Sequence, residues 1–222
     1  MRISTCVCLA FLLRLAAISP ALAQGNNSNP GVLPPNSSPH GHTYGEWNAL
    51  WWRWFISLPL DNNPATGADC STGQVGSVWF LIGLPGPTTI NCTVPPGKTL
   101  VLPIINIECS NLEPPPFFGA TPADRAACAA AITNTAVNLS ATIDGVPVHN
   151  LTSYRSPSPN FTFAAPPNNV LGVPGGAGES VADGFYLVLV PFSPGTHVIH
   201  IAGAFLNPAF AIDTTINLTV RH

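Results

Sequence analysis

Glu108 is the side chain of this sequence best placed for acid–base chemistry. It ends the apolar run "GKTLVLPIINIE" (97–108), two residues after Asn106 and on the same face of a predicted strand. Burial there would raise the pKa of the carboxyl group and let it exchange a proton near neutral pH. The alternative is a structural Glu108 that faces water or pairs with Arg155 or Lys98.

Glu46 is the second catalytic candidate. A glycosidase needs two carboxyl groups about 5 to 9 Å apart, so Glu108 would need a partner. Glu46, Asp144 and Asp183 are available as this partner, but nothing in the sequence brings them together. The sequence contains no G-x-S-x-G, H-E-x-x-H or Gly-rich phosphate motif. The sequence therefore leaves open whether the protein is an enzyme, and it favours a protein that is not one.

The stretch "GEWNALWWRWF" (45–55) holds four of the five tryptophans. Trp52 could stack on a sugar ring or another planar group, with Asn48 and Arg53 beside it as hydrogen-bonding residues. These three residues form the candidate ligand-binding set. The competing interpretations are a helix that covers the core and a helix that inserts into a membrane or a partner. Membrane insertion is disfavoured, because interfacial helices usually carry several Lys or Arg.

The histidines do not predict a metal site. His40 and His42 stand in a polar segment, and His197 and His200 are three residues apart, which places them on opposite faces of one strand. We therefore predict neither a bound metal nor a cofactor.

The tryptophan-rich stretch is predicted to be helical. Thr43 and Glu46 fit a capping box, in which each side chain accepts a hydrogen bond from the other residue's backbone N–H. The helix should run to about Ser57 and end before Pro59. Its surface is apolar nearly all round, so we expect most of its sides to be covered and its role to be mainly architectural.

The remaining segments are mostly strand-like and lie between Gly/Pro turns. Apolar or alternating runs occupy 77–83, 97–108, 138–148, 185–192, 197–205 and 214–220, and Ala-rich 122–133 is the other helical candidate. Successive strands without intervening helices indicate a mainly β fold. The prediction is an antiparallel β-sandwich, jelly-roll or immunoglobulin-like, with one Trp-rich N-terminal helix and a short Ala-rich helix.

The N-terminus predicts export. Residues 1–23 combine a basic start, an apolar run and a small-x-small site, the pattern of a secretory signal peptide. Residues 24–41 read as a flexible linker and 42–222 as one β-sandwich domain. No later segment is apolar for long enough to span a membrane. The expected location is extracellular, or periplasmic if the source is a Gram-negative bacterium.

Charge and cysteine content agree with this location. Without Arg2 and Arg14, five basic residues face ten acidic ones, a net charge of −5, so nucleic acid is not an expected partner. The four remaining cysteines predict two disulfides, with three connectivities open and a zinc site as the disfavoured alternative. They are Cys70, Cys92, Cys109 and Cys128.

Seven Asn-x-Ser/Thr sequons follow the predicted signal peptide, at Asn26, Asn36, Asn91, Asn138, Asn150, Asn160 and Asn217. In a eukaryotic protein they would be glycosylation sites on the surface. In a bacterial protein they would only reflect Asn and Thr on the solvent faces of strands.

Four motifs together resemble a group of exported bacterial proteins of uncharacterised function. They are "TYGEWNALWWRWFISLP", "GQVGSVWFLIG", "CTVPPGKTLVLPIIN" and "DGFYLVLVPFSPGTHVIHIAG", within residues 43 to 220. The resemblance implies a sandwich with a tryptophan-rich N-terminal helix, and it implies no reaction or ligand.

Three functional hypotheses follow from the sequence. The first is an extracellular binding or surface-associated module, with polysaccharide or other cell-surface material as its expected partner. The second is a secreted hydrolase of a neutral polymer or glycan, with Glu108 or Glu46 as its acid/base. The third is a self-assembling envelope protein.

Overall fold

A computed structural model describes residues 29–221 of the chain. The predicted signal peptide (1–23), residues 24–28 of the predicted linker and the sequon at Asn26 lie outside the described residues. The α-helices are α1 (Tyr44–Ser57) and α2 (Pro122–Thr133). The strands are β1 (Val78–Phe80), β2 (Gly86–Val94), β3 (Thr99–Ser110), β4 (Ala136–Ile143), β5 (Val146–Pro147), β6 (Phe161–Ala165), β7 (Gly176–Leu189), β8 (Gly195–Leu206) and β9 (Ala209–Val220).

The strands form two sheets, which confirms the prediction of a mainly β fold. The first sheet has the order β1-β3-β7-β6, and the second has the order β2-β9-β8-β4-β5. Most neighbouring strands are antiparallel, but β1 pairs in parallel with β3, and β2 pairs in parallel with β9. The purely antiparallel prediction is therefore wrong for these two pairs. Strand β2 belongs to the other sheet, so the chain returns to the first sheet with β3 in the same direction as β1.

The second sheet has one buried and one solvent-facing side. In β9, Ile216, Leu218 and Val220 are buried, and they alternate with more exposed Thr and Asn residues, as the sequence predicted. The central strands β3 and β7 of the first sheet are buried almost throughout. Strand β3 contacts β8 of the second sheet, and both strands contact the helices α1 and α2. Burial by these neighbours explains why the sequences of β3 and β7 are continuous apolar runs.

Helix α1 begins and ends where the sequence predicts. Both hydrogen bonds of the capping box are present between Thr43 and Glu46. Gly45 allows the helix to approach the chain closely, because a Cβ atom there would lie 2.4 Å from the carbonyl oxygen of Pro157. All four tryptophans of the helix are at most 8% exposed, so the expectation that the helix is covered is confirmed.

The segment predicted as a flexible linker makes specific contacts over its described part. Val32 forms a β-bridge with Leu189, and the backbone N–H of Leu33 donates to the carbonyl of Val188 (2.8 Å). The Tyr44 hydroxyl donates to the carbonyl of Leu33 (2.7 Å). The polar composition of this segment predicted a flexible linker. The segment is nevertheless held in place, because a few backbone hydrogen bonds and one buried valine attach it to the sheet.

The cysteines pair in chain order. Disulfides join Cys70 to Cys92 and Cys109 to Cys128, so the prediction of two disulfides is confirmed and one of the three connectivities is selected. Each bond closes a loop of about twenty residues, for which the chain-entropy model gives roughly 3 kcal/mol. Within residues 29–221, none of the helices is long and apolar enough to cross a membrane.

Candidate functional site

Glu108 lies near the end of β3, opposite Ala182 of β7, and is 2% exposed. After Ser110 the chain turns back over the strand: the N–H groups of Leu112 and Glu113 both donate to the Ser110 hydroxyl (3.3 Å each). Further along, the N–H of Ser110 donates to the carbonyl of Phe117 (3.0 Å). This reversal brings the carboxyl group of Glu113 to that of Glu108.

The two carboxyl groups are hydrogen-bonded to each other. Burial raises the pKa of Glu108 well above its usual range, and the hydrogen bond and the like charge of Glu113 raise it further. Each carboxyl also meets a serine: the hydroxyl of Ser180 contacts Glu108, and the hydroxyl of Ser110 donates to Glu113 (2.9 Å). The carboxyl group of Glu108 therefore keeps its proton to a higher pH than an isolated glutamate does.

A cavity of about 440 Å³ adjoins this carboxyl pair, and we call it the Trp52 cleft. Its volume lies within the range of small-molecule sites. Apart from Glu108 and Glu113, its walls are apolar. They come from α1, the end of β3, the loop after β3 and the segment before β7: Trp52, Phe55, Ile107, Pro114–Pro116, Phe117, Val170 and Leu171.

Trp52 differs from its neighbours in hydrogen bonding. The indole N–H groups of Trp47, Trp51 and Trp54 each donate to a backbone carbonyl, at 2.8 to 3.1 Å. The buried N–H of Trp52 has no acceptor among the described residues. Leaving such a donor unpaired costs about 1 to 3 kcal/mol, so the free energy of the site would fall if an acceptor were supplied.

The predicted ligand set is not brought together. Trp52 lines the cleft, whereas Arg53 is exposed and lines a separate cavity of about 380 Å³. Asn48 is fully buried, donates to the carbonyl of Ser156 (2.7 Å) and does not line the Trp52 cleft. Successive residues of a helix point in different directions around its axis. Residues that are neighbours in the sequence therefore do not line the same cavity here.

The second catalytic candidate, Glu46, also lies elsewhere. It lines the cavity of Arg53, together with His42. The backbone N–H of Thr43 and then its hydroxyl donate to the Glu46 carboxylate (2.7 and 2.9 Å), which lowers its pKa. Glu46 is therefore engaged as a helix cap and is not the partner of Glu108.

Sequence reasoning missed Glu113. The only signal was an acidic residue followed by three prolines, shortly after Glu108. Five residues of extended chain would separate the two carboxyl groups by about 16 Å. Only the chain reversal at Ser110 brings them into contact, and that reversal was not predicted.

The predicted sequons and histidines lie apart from the cleft. Asn36, Asn91, Asn138, Asn150, Asn160 and Asn217 are all exposed. The side chain of Asn217 donates to that of Asn91 (3.0 Å) across β2 and β9. His197 pairs with Asp144 and His200 with Asp213, on different faces of β8. Residues 29–221 contain no group of three or more His, Cys, Asp or Glu that could hold a metal ion.

Comparison of the chain with models of known protein families, with curated proteins and with solved structures found no match. The geometry of the cleft is therefore the main guide to its chemistry.

The raised pKa of Glu108 predicts that stability falls as pH rises. Between the usual pKa of glutamate, about 4.3, and the raised value, the unfolded chain releases this proton and the folded protein keeps it. The folded state then binds more protons, so its stability decreases with increasing pH. Thermal unfolding of wild type and Glu108→Gln over this interval should show a weaker decrease in the variant.

His197 provides the control for this experiment. Burial alone would lower the pKa of His197, but hydrogen bonds to Asp144 and the Ser193 carbonyl raise it. The contribution of His197 to the free energy of unfolding is full below the usual histidine pKa, about 6.5. It is lost as pH rises through the raised pKa. His197→Gln should therefore change the pH dependence only above that point. If stability decreased with pH equally in wild type and Glu108→Gln below about pH 6, the pH dependence could not be assigned to Glu108.

Proposed function

We propose that this protein is an extracellular binding module whose ligand occupies the Trp52 cleft. The predicted signal peptide and the two disulfides support an extracellular location. We also infer that the two sheets form a β-sandwich of jelly-roll or immunoglobulin-like type. Contacts of β3 with β4, β8 and β9 support this inference.

The observation that carries the proposal is that Trp52, which lines the cleft, has a buried indole N–H without an acceptor among the described residues. In a soluble protein, buried donors are nearly always paired. A ligand with an oxygen acceptor would satisfy this donor if its entry shifted the surrounding side chains. The same cleft offers two aromatic rings, Trp52 and Phe55, against which a flat group can pack.

The charge of the cleft restricts the ligand. Among residues 29–221, the ionisable residues that line it are Glu108 and Glu113, and none of the cationic side chains does so. An anionic group would be repelled by the pair, and an uncharged group could receive a hydrogen bond from its proton. The proposed ligand is therefore an uncharged, ring-bearing group of an extracellular polymer, such as a cell-surface polysaccharide or a peptide.

Trp52→Phe tests this proposal because it keeps a ring and removes only the indole N–H. We measure retention of the protein on insoluble cell-wall polysaccharides and titrate soluble oligosaccharides and apolar peptides by calorimetry. One hydrogen bond contributes about 0.5 to 1.5 kcal/mol, so the dissociation constant should rise about 2- to 12-fold.

Trp79→Phe is the matched control. Trp79 is also buried with an unpaired indole N–H, but it does not line the cleft. Its substitution should leave the dissociation constant unchanged. Binding to none of these materials, or equal losses of affinity in the two variants, would refute the proposal.

A further inference from the structure

We propose that Glu108 and Glu113, which line the Trp52 cleft together, act as an acid–base pair that hydrolyses an amide or ester bond of a substrate held in that cleft. This inference rests on the proposed function, because the substrate would occupy the same cleft.

The arrangement of the pair supports this chemistry. The two carboxyl groups are hydrogen-bonded to each other, and each also contacts one serine hydroxyl, Ser180 for Glu108 and Ser110 for Glu113. Two carboxyl groups that share one proton provide an acid and a base in one place. The serines fix the orientation of both groups, so that neither has to be reorganised when a substrate binds.

Solvent access differs between the two members. Glu108 lines the cleft but is only 2% exposed, whereas Glu113 is partly exposed in the loop that forms one wall. Glu113 is therefore better placed to meet a water molecule, and Glu108 is better placed to hold the proton. This assigns the base to Glu113 and the acid to Glu108 in the first step.

The reaction balances with water as the only co-reactant. The Glu113 carboxylate takes a proton from water while the water oxygen bonds to the carbonyl carbon, and Glu108 donates its proton to the carbonyl oxygen. The tetrahedral intermediate then returns a hydroxyl proton to Glu108. At the same time the bond from carbon to nitrogen, or to the ester oxygen, breaks, and Glu113 gives its proton to the leaving group. The products are a carboxylic acid and an amine or alcohol, and the pair again holds one proton.

The geometry favours an acyl bond over a glycosidic bond. Glycosidases hold their carboxyl groups about 5 to 9.5 Å apart, to leave room for the sugar or for water, and these two groups are in hydrogen-bond contact. The walls of the cleft select for apolar groups on both sides of the bond, because Phe55 and Leu171 belong to them together with the prolines of the loop. An aromatic or aliphatic peptide is therefore the expected substrate class.

The test uses internally quenched peptides with Phe or Leu on both sides of the central bond, incubated with the full-length secreted protein from about pH 3 to 7. We expect cleavage with a maximum on the acid side of neutrality, and incorporation of one ¹⁸O atom from labelled water into the new carboxyl group. Glu113→Gln should lower the cleavage rate about a hundredfold or more. Glu108→Gln should do the same.

Asp61→Asn is the matched control, because it makes the same carboxyl-to-amide change at an exposed residue outside the cleft. Near-ultraviolet circular dichroism of the tryptophans verifies folding, and the partly exposed Glu113 keeps the test valid if Glu108→Gln does not fold. Peptide binding that depends on Trp52, without cleavage at any pH, would overturn the inference and leave the proposed function standing. Cleavage of equal rate in wild type and Glu113→Gln would overturn it as well.

Discussion

Replacing Trp51 with alanine is expected to lower the free energy of unfolding by about 3 to 5 kcal/mol. Trp51 is 3% exposed, and its indole N–H donates to the carbonyl of Leu81 (2.8 Å) just beyond β1. Its ring stacks on Phe55 with a centroid distance of 4.8 Å and meets the edge of Tyr186 in β7 at 6.3 Å. One side chain thus joins α1 to both β1 and β7.

Urea unfolding followed by far-ultraviolet circular dichroism measures this loss. Trp51→Phe separates its two components, because it retains most of the buried ring and leaves the Leu81 carbonyl unpaired, at a cost of about 1 to 3 kcal/mol. Leu206→Ala is the control, because Leu206 is 65% exposed and its truncation should change the stability by less than about 0.5 kcal/mol. A loss no larger for Trp51→Ala than for this control would show that α1 is not part of the cooperative core.

Replacing Arg125 with alanine is expected to lower the free energy of unfolding by about 2 to 4 kcal/mol, because a buried acceptor left without its donor costs about 1 to 3 kcal/mol. Arg125 of α2 is 1% exposed and pairs with Glu179 of β7. Its guanidinium also donates to the side chain of Asn160 (2.8 Å) and to the carbonyls of Gly119 and Ala120 (3.2 Å each). Removal of this cation leaves several acceptors without a donor and opens a cavity beneath the helix.

Arg125→Lys should recover only part of the stability, because a single ammonium cannot reproduce the planar fork of donors. Arg53→Ala is the control, since Arg53 is exposed in α1. Urea unfolding at low and high ionic strength adds a further criterion. The effect at Arg125 should persist in salt because the group is buried, whereas an exposed pair would be screened. A loss below about 1 kcal/mol would mean that the pair behaves as a surface ion pair.

Local sequence patterns predicted those elements that depend on local interactions. The capping box at Thr43 and the proline at 59 bracket α1 correctly. The Ala-rich segment gave both ends of α2, where Thr121 and Asp124 form a second capping box. The turn at Asp144 and Gly145 separates β4 from β5, also as expected. In each case the determining hydrogen bonds join residues that are close in the chain.

Features that depend on distant residues were not predictable in this way. Strands β2 and β6 were missed because Gly, Pro and Thr obscure the first, and the second has only five residues before a pair of prolines. The parallel pairing of β2 with β9 joins segments more than a hundred residues apart, and no local pattern encodes it. The contact between Glu108 and Glu113 depends on the chain reversal at Ser110. Of the two carboxyl groups, only that of Glu108 was therefore predicted.

The Cys109–Cys128 disulfide closes a covalent ring that contains Glu113, the three prolines and Phe118. Phe118 is 46% exposed, so its side chain is accessible to a protease that recognises aromatic residues. A single cut there would open the ring without releasing either end, because one end continues into β3 and the other is linked through Cys128 to Cys109. The wall that carries Glu113 should therefore stay attached to both parts of the nicked chain, a form of durability that the reduced chain would lack.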